Sequence, residues 1–255
     1  MIVAAVVCPH PPLLLRELSG SQDAVPELRA ACREALAAAL ATEPDAVVVV
    51  GGADRPGGWD PSLPVDVRRF GTTTAPHVAG LPQSLGVAKR LLEEAGWAGP
   101  LHLQAVSFDA GPAEVTEAAR AVAKAEGRVV LIVLADGSTR RGEKAPGYLD
   151  ERAFAFDDRV VAALEQGDAP ALAGLDPALA RELMVLGRAP LAVMGEALGA
   201  QAADRGASQA AQEVALEADR GSPQAQAPLP RTRLLYRDDP YGVLYTVVLW
   251  DLRPL

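Results

Sequence analysis

Three uninterrupted apolar runs constrain this chain more than any other feature. Residues 2–8 read IVAAVVC, residues 46–50 read AVVVV and residues 129–135 read VVLIVLA. None alternates apolar with polar. Each therefore predicts a strand buried on both faces, as in a parallel sheet covered by helices on either side. Pro9 and Pro11 close the first run, and Gly51-Gly52 close the second. A weaker strand is expected over 65–70 and another over 101–106.

The segments between them carry helical periodicity. Leu28, Cys32, Leu36 and Leu40 recur every four residues within 24–41, and Pro26 sits in the first turn, where a missing N–H costs nothing. Helices are also predicted at about 83–95 and 112–126. Strands alternating with helices require crossover connections and a parallel sheet. The second half differs. Residues 149–166, 169–174, 177–186 and 189–200 read as successive helices. Residues 234–236 and 242–250 (GVLYTVVLW) then return to the sheet as an antiparallel hairpin around Asp238-Asp239-Pro240. The reading is one α/β domain over residues 1–255, with a mostly parallel central sheet, helices on both faces and a C-terminal antiparallel hairpin. Residues 201–230 stand apart. They are rich in Ala, Gln and Gly, end among Pro223, Pro228 and Pro230, and are expected to form a flexible or inserted segment with at most a short polar helix at 207–218.

Composition narrows the partners. At 255 residues and 49% hydrophobic, the chain can bury one large core. Its net charge of -9 argues against nucleic acid or an anionic membrane surface. The N-terminal MIVAAVVCPHPP has no basic region, and its prolines cut the apolar run far short of a span. Cys8 and Cys32 are too few for a disulfide framework, so a reducing cytoplasm is the expected compartment. A small-molecule partner and a homo-oligomer both stay open.

Ligands of open parallel sheets bind beyond the carboxyl ends of the strands. Three polar loops are expected there: Cys8–Pro12, Gly51–Gly58 and Asp136–Arg141. His10 could serve as general base or metal ligand, or simply bond its own loop. Asp54 is either a turn residue or a carboxylate facing His10. Ser138, Thr139 and Arg140 are candidate pocket residues on the third loop. The glycine-rich loop lacks the Gly-x-Gly-x-x-Gly spacing of a nucleotide site, and no Gly-x-Ser-x-Gly elbow is present. His77 and His102, the other histidines, read as surface or core residues.

A Pro-His pair closing the first strand, together with AVVVVGGADR, VVLIVLADGSTRR, GYLDERAFAFDDRVVAALEQGD, ELMVLGRAPLAVMGEAL and PYGVLYTVVLW in that order, resembles the class III extradiol ring-cleaving dioxygenases. That superfamily includes the protocatechuate 4,5-dioxygenase β subunit and the Memo-like proteins. The resemblance covers most of the chain except 201–230. It implies an Fe(II) site of two histidines and one carboxylate, with a further histidine moving protons. His10 matches the first ligand. At the second, the nearest residue able to bind metal is Asp54. Thr139 follows Ser138 where the proton-transferring histidine belongs. Leu186, before Gly187-Arg188-Ala189-Pro190, stands at the third ligand.

The expectation is thus a superfamily member with a degenerate metal site, not a standard ring-cleaving dioxygenase, and a small-molecule-binding or non-enzymatic relative. No resident metal is expected. The alternative is a metal-dependent oxygenase or hydrolase holding Fe(II) or Zn in a site rebuilt from His10 and Asp54, with Glu182 or Glu196 as less favoured further ligands.

Overall fold

A computed structural model describes residues 1–19, 22–67, 70, 80–216 and 230–253. In chain order the strands are β1 (Ile2–Cys8), β2 (Ala46–Ala53), β3 (Gly57–Trp59), β4 (Leu101–Ser107), β5 (Val129–Leu134), β6 (Arg231–Asp238) and β7 (Tyr245–Asp251). The helices are α1 (Arg16–Ser19), α2 (Pro26–Leu40), α3 (Gln83–Glu94), α4 (Pro112–Ala123), α5 (Arg152–Gln166), α6 (Ala169–Ala173), α7 (Pro177–Glu182) and α8 (Arg188–Leu216). A short 3-10 turn, Pro12–Leu14, follows β1.

The strands form one mixed sheet in the order β3-β4-β2-β5-β1-β7-β6. The four strands β4, β2, β5 and β1 run parallel. β3 joins one edge antiparallel to β4, and β7 joins β1 antiparallel with β6 beyond it. The sheet is therefore mostly, not wholly, parallel. The apolar runs fill its middle because only there are both faces covered. Ala5 and Val7 of β1 enter the core layer that holds Leu131, Val133, Phe156 and Trp250. Ala4, Val6 and Cys8 enter the opposite layer with Leu28, Leu36, Leu85 and Ile132. A strand with an apolar partner on each side has no use for alternation.

Two expectations need correction. Within 65–70 the described residues carry no strand. Val65 makes an isolated bridge to Leu81, and residues 68–69 lie outside the described part. The edge position goes instead to Gly57–Trp59, which pairs with Leu103–Ala105. The flexible segment expected from residue 201 is also revised. α8 runs unbroken to Leu216 because the Ala/Gln/Glu stretch favours helix and no proline interrupts it before Pro223. Gln201 closes both ends of its amide on Ile2, with Nε2 donating to the Ile2 carbonyl at 3.0 Å and Oε1 accepting its N–H at 2.6 Å. Residues 217–229 lie outside the described part.

The connections create a crevice. After β1 and β2 the chain passes to α2 and α3 on one face. After β4 and β5 it passes to α4 and α5 on the other. β5 lies between β2 and β1, so neighbouring strands send their loops to opposite faces. The carboxyl edge opens there, as at the switch points of other open α/β sheets.

Candidate functional site

Strand register builds the centre of the site. Cys8 pairs with Leu134. Two residues further on, His10 and Asp136 leave their strands side by side. Asp136 Oδ1 accepts the His10 backbone N–H at 2.7 Å. The same oxygen lies 3.4 Å from His10 Nδ1, misaligned for a hydrogen bond, and Nδ1 has no other partner. His10 is 2% exposed and Asp136 7%. Burial pushes the Asp136 carboxyl above its ordinary value, and the adjacent His10 opposes the rise.

His10 lines a cavity of about 240 Å³ with Gly52, Ala53, Asp54, Pro82, Gln83, Ser84, Phe108 and Leu186. The first turn of α3 closes one wall. Gln83 Nε2 donates to the His10 carbonyl at 2.9 Å, and Ser84 Oγ donates to the Gly52 carbonyl at 2.7 Å. The Gly51-Gly52 pair exists for this close approach. A Cβ on Gly51 would lie 2.5 Å from Ser84 Oγ, and one on Gly52 would lie 2.5 Å from the Phe108 ring. The opposite wall is set by the segment before α8. Gly187 N–H donates to the Asp136 carbonyl at 2.9 Å, and a Cβ there would meet that oxygen at 2.6 Å. Glycine at 187 thus lets Leu186 reach the strand ends. Asp136 holds His10 through its side chain and the Leu186 segment through its backbone.

The structure therefore brings His10, Asp54 and Leu186 to one cavity, with Asp54 exposed at its mouth. It takes the third loop elsewhere. Ser138 is fully buried and donates its N–H and Oγ to Asp157 of α5 at 3.0 and 2.6 Å. Arg141 bonds the same carboxylate at 3.1 Å and Asp239 at 2.6 Å. Burial raises the Asp157 carboxyl, with Ser138 and Arg141 pulling against it. This network pins the loop to α5 and to the β6–β7 turn. Thr139 and Arg140 line no part of the His10 cavity; Thr139 Oγ1 and Arg140 Nε are buried without hydrogen-bond partners. Three expected pocket residues, Ser138, Thr139 and Arg140, thus fall outside this cavity because the loop turns towards α5 and α7. Thr139 N–H reaches the Leu183 carbonyl at 3.3 Å.

An iron held by two imidazoles and a carboxylate does not fit the residues present. Among the described residues no group of three or more His, Cys, Asp or Glu side chains is placed to hold a metal. Glu182 is paired with Arg152 at 2.7 Å, and neither it nor Glu196 lines the cavity. His102 is exposed on β4, and His77 lies outside the described residues. Cys8 is buried beside Cys32, whose thiol is pushed up first by its hydrogen bond with Cys8 and then by burial.

Asp136, Phe108 and the α3 turn were not legible as site residues. Asp136 stood in the sequence at the end of the third apolar run, and its pairing with His10 needed the strand order. Phe108 and Gln83 carried no local signal.

Comparison with known proteins finds no matching family model and no matching curated protein. Among solved structures, the chain is similar to the crystal structure of uncharacterized protein JW3007 from Escherichia coli K12, at 16% identity and a TM-score of 0.49, over 97% of this chain and 99% of that one.

Proposed function

We propose that this chain is a relative of the class III extradiol dioxygenases that does not cleave rings by metal chemistry, and that its His10 cavity binds a small molecule. One observation carries the reading. His10, Asp54 and Leu186, the three positions at which the resemblance puts iron ligands, line a single cavity. They supply an imidazole, an exposed carboxylate and an aliphatic chain. Leucine offers a metal nothing and walls off the side where a third ligand would complete a facial triad.

What remains suits binding. His10 lines the cavity, with its backbone fixed by Asp136 Oδ1. The first-turn N–H groups of α3 sit at Gln83 and Ser84 and favour ligand oxygens. Phe108 and Leu186 give apolar walls. The volume admits a molecule smaller than a typical drug-sized ligand. A rebuilt Fe(II) or Zn site draws support from the shared cavity of His10 and Asp54 but has two ligands where three are usual.

Elemental analysis of untagged protein, paired with a catechol ring-opening assay in ferrous iron and oxygen, separates these readings. The expected result is no stoichiometric metal and no ring-opened product. About one bound metal per chain, lost in His10→Ala, would establish the rebuilt site instead.

A further inference from the structure

β6 is the last strand in the sheet order, so among the described strands the outer row of its N–H and C=O groups has no partner. At eight residues it is long for an edge, and no proline interrupts it between Pro230 and Pro240. The opposite edge, β3, has only three residues. A long open edge is a template for a further strand, and charged side chains and bulges are the usual defences against one. β6 has both, and their arrangement decides what the edge accepts. Leu234 stands opposite Val248 and Tyr236 opposite Val247, so Leu235 is the extra residue of a bulge. In a regular strand, positions an odd number apart lie on opposite faces, and one extra residue reverses that relation. Arg231 is opposite Asp251 and Asp238 opposite Tyr245, two β7 residues an even number apart. Tyr245, Val247 and Leu249 join the core layer of α2. Arg231, Arg233, Tyr236 and Asp238 therefore all stand on the α2 face of the sheet.

The charges on this edge are divided. Arg233 is paired with Glu34 of α2 at 2.6 Å, and Arg237, on the other face, is paired with Asp158 of α5. Arg231 has no such partner, since Asp251 opposite it is held by Arg253. Asp238 accepts hydrogen bonds from the Asp239 N–H and the Tyr236 hydroxyl but meets no cation. Among the described residues neither Arg231 nor Asp238 forms an ion pair. The two unpaired charges thus have opposite signs, share one face and sit at the two ends of one strand. Such a pattern is its own complement. Two copies of β6 laid antiparallel about a two-fold axis level with the Leu234-Leu235 peptide bring Arg231 of each opposite Asp238 of the other, and Arg233 opposite Tyr236. A slip of one residue either way sets Arg237 level with Arg233 or with Arg231, like charge against like.

We infer that β6 is a docking edge for a second copy of this chain, the two β6 strands pairing antiparallel so that the sheets join and two Arg231–Asp238 ion pairs close the junction. The axis stands perpendicular to the sheet, so the α2 faces of both copies lie on the same side. The bulge that would turn a regular edge away from pairing is what brings the two ends of this strand into register with a copy of itself.

The test is sedimentation of the full chain over a concentration series, joined to amide exchange along β6. The expected result is a reversible monomer–dimer equilibrium that weakens with added salt, because the closing ion pairs are exposed. β6 amides that exchange freely in dilute solution should become protected as the dimer forms. Asp238→Arg and Arg231→Asp each set like charges opposite one another twice per dimer, and each should weaken association about tenfold or more. The double variant Arg231→Asp/Asp238→Arg restores opposite signs and should recover the unaltered affinity to within about threefold. That recovery separates a cross-strand pair from damage to the fold, which a second substitution would compound. The inference fails if the chain stays monomeric up to roughly 1 mM. It fails if a dimer forms that the single variants leave unchanged, which would place the contact on another surface, or if the double variant stays as weak as the single ones. It fails too if every β6 amide is already protected in the monomer, because another segment of the same chain then covers the edge.

Discussion

Asp136 Oδ1 accepts the backbone N–H of His10 at 2.7 Å, across the seam between two parallel strands that are 126 positions apart in sequence. The bond is buried, and no described group replaces it. Asp136→Ala leaves that N–H without an acceptor, and a loss of about 1–3 kcal/mol is expected. Asp136→Asn retains a side-chain oxygen and should cost less. Urea denaturation of both variants measures the difference; equal losses would mean that the carboxylate charge, not the acceptor, matters.

The same pair sets a pH dependence. Burial holds the Asp136 carboxyl above its ordinary value, so the native chain binds this proton more tightly than the unfolded chain. Stability from this group is highest at low pH. It falls as pH rises from the unfolded value, about 3.9, through the raised native value. Asp136→Asn has no proton to lose. The stability of the variant relative to the unaltered protein should therefore climb across that window and level off above it. Denaturation midpoints taken between pH 4 and pH 7 read the slope, and a flat difference would contradict the raised native value.

Ser138 tests whether the third loop is structural. Its N–H and hydroxyl both serve the buried Asp157. Ser138→Ala removes one donor to a buried carboxylate and should destabilise by about 1.5–3 kcal/mol. Ligand affinity at the His10 cavity should not change, whereas His10→Ala should weaken it while costing less stability. A large affinity loss in Ser138→Ala would return that loop to the site.

Two glycines of α8 should respond in opposite directions. A Cβ on Gly195 would lie 2.5 Å from the Ala169 carbonyl and 2.6 Å from the Ala173 nitrogen, backbone that cannot step aside. Gly195→Ala should cost about 1–3 kcal/mol through overpacking. Gly199, one turn later, has open space around it. Gly199→Ala should stabilise by about 0.5–1 kcal/mol through helix propensity alone. Thermal melts of the two variants check the sign of each.

The legible parts of this molecule were those written in short-range pattern. IVAAVVC, AVVVV and VVLIVLA gave the central strands because burial on both faces leaves a signature within each run. His10 was legible for the same reason: it closes a strand whose direction was clear. Gly57–Trp59 was not, since an edge strand of three residues has too few side chains to show a period. The continuation of α8 is not legible because its Ala/Gln composition suits both a linker and a helix, and its Gln201 anchor on Ile2 is a contact between distant residues. Ser138 was placed in the pocket because a strand end fixes a residue's level but not the direction of its side chain. Its partner, Asp157, sits on a helix whose position only the folded chain supplies. The role of Asp136 is not written locally either, since its partner His10 follows the neighbouring strand.

β7 lies between β1 and β6, with Ala4 opposite Asp251 and the Leu252 N–H donating to the Val3 carbonyl at 3.0 Å. Among the described strands, the first in chain order is therefore completed by the last. Until Tyr245–Asp251 has emerged, β1 carries an open edge of apolar residues, a template for pairing with the wrong chain. Such distant pairing also slows the final step, because a long loop must close before its contacts form. The growing chain is consequently exposed to aggregation for as long as β7 is missing, and a chain stopped ahead of Tyr245 should show fast amide exchange along β1 and a demand for chaperones that a chain containing β7 does not.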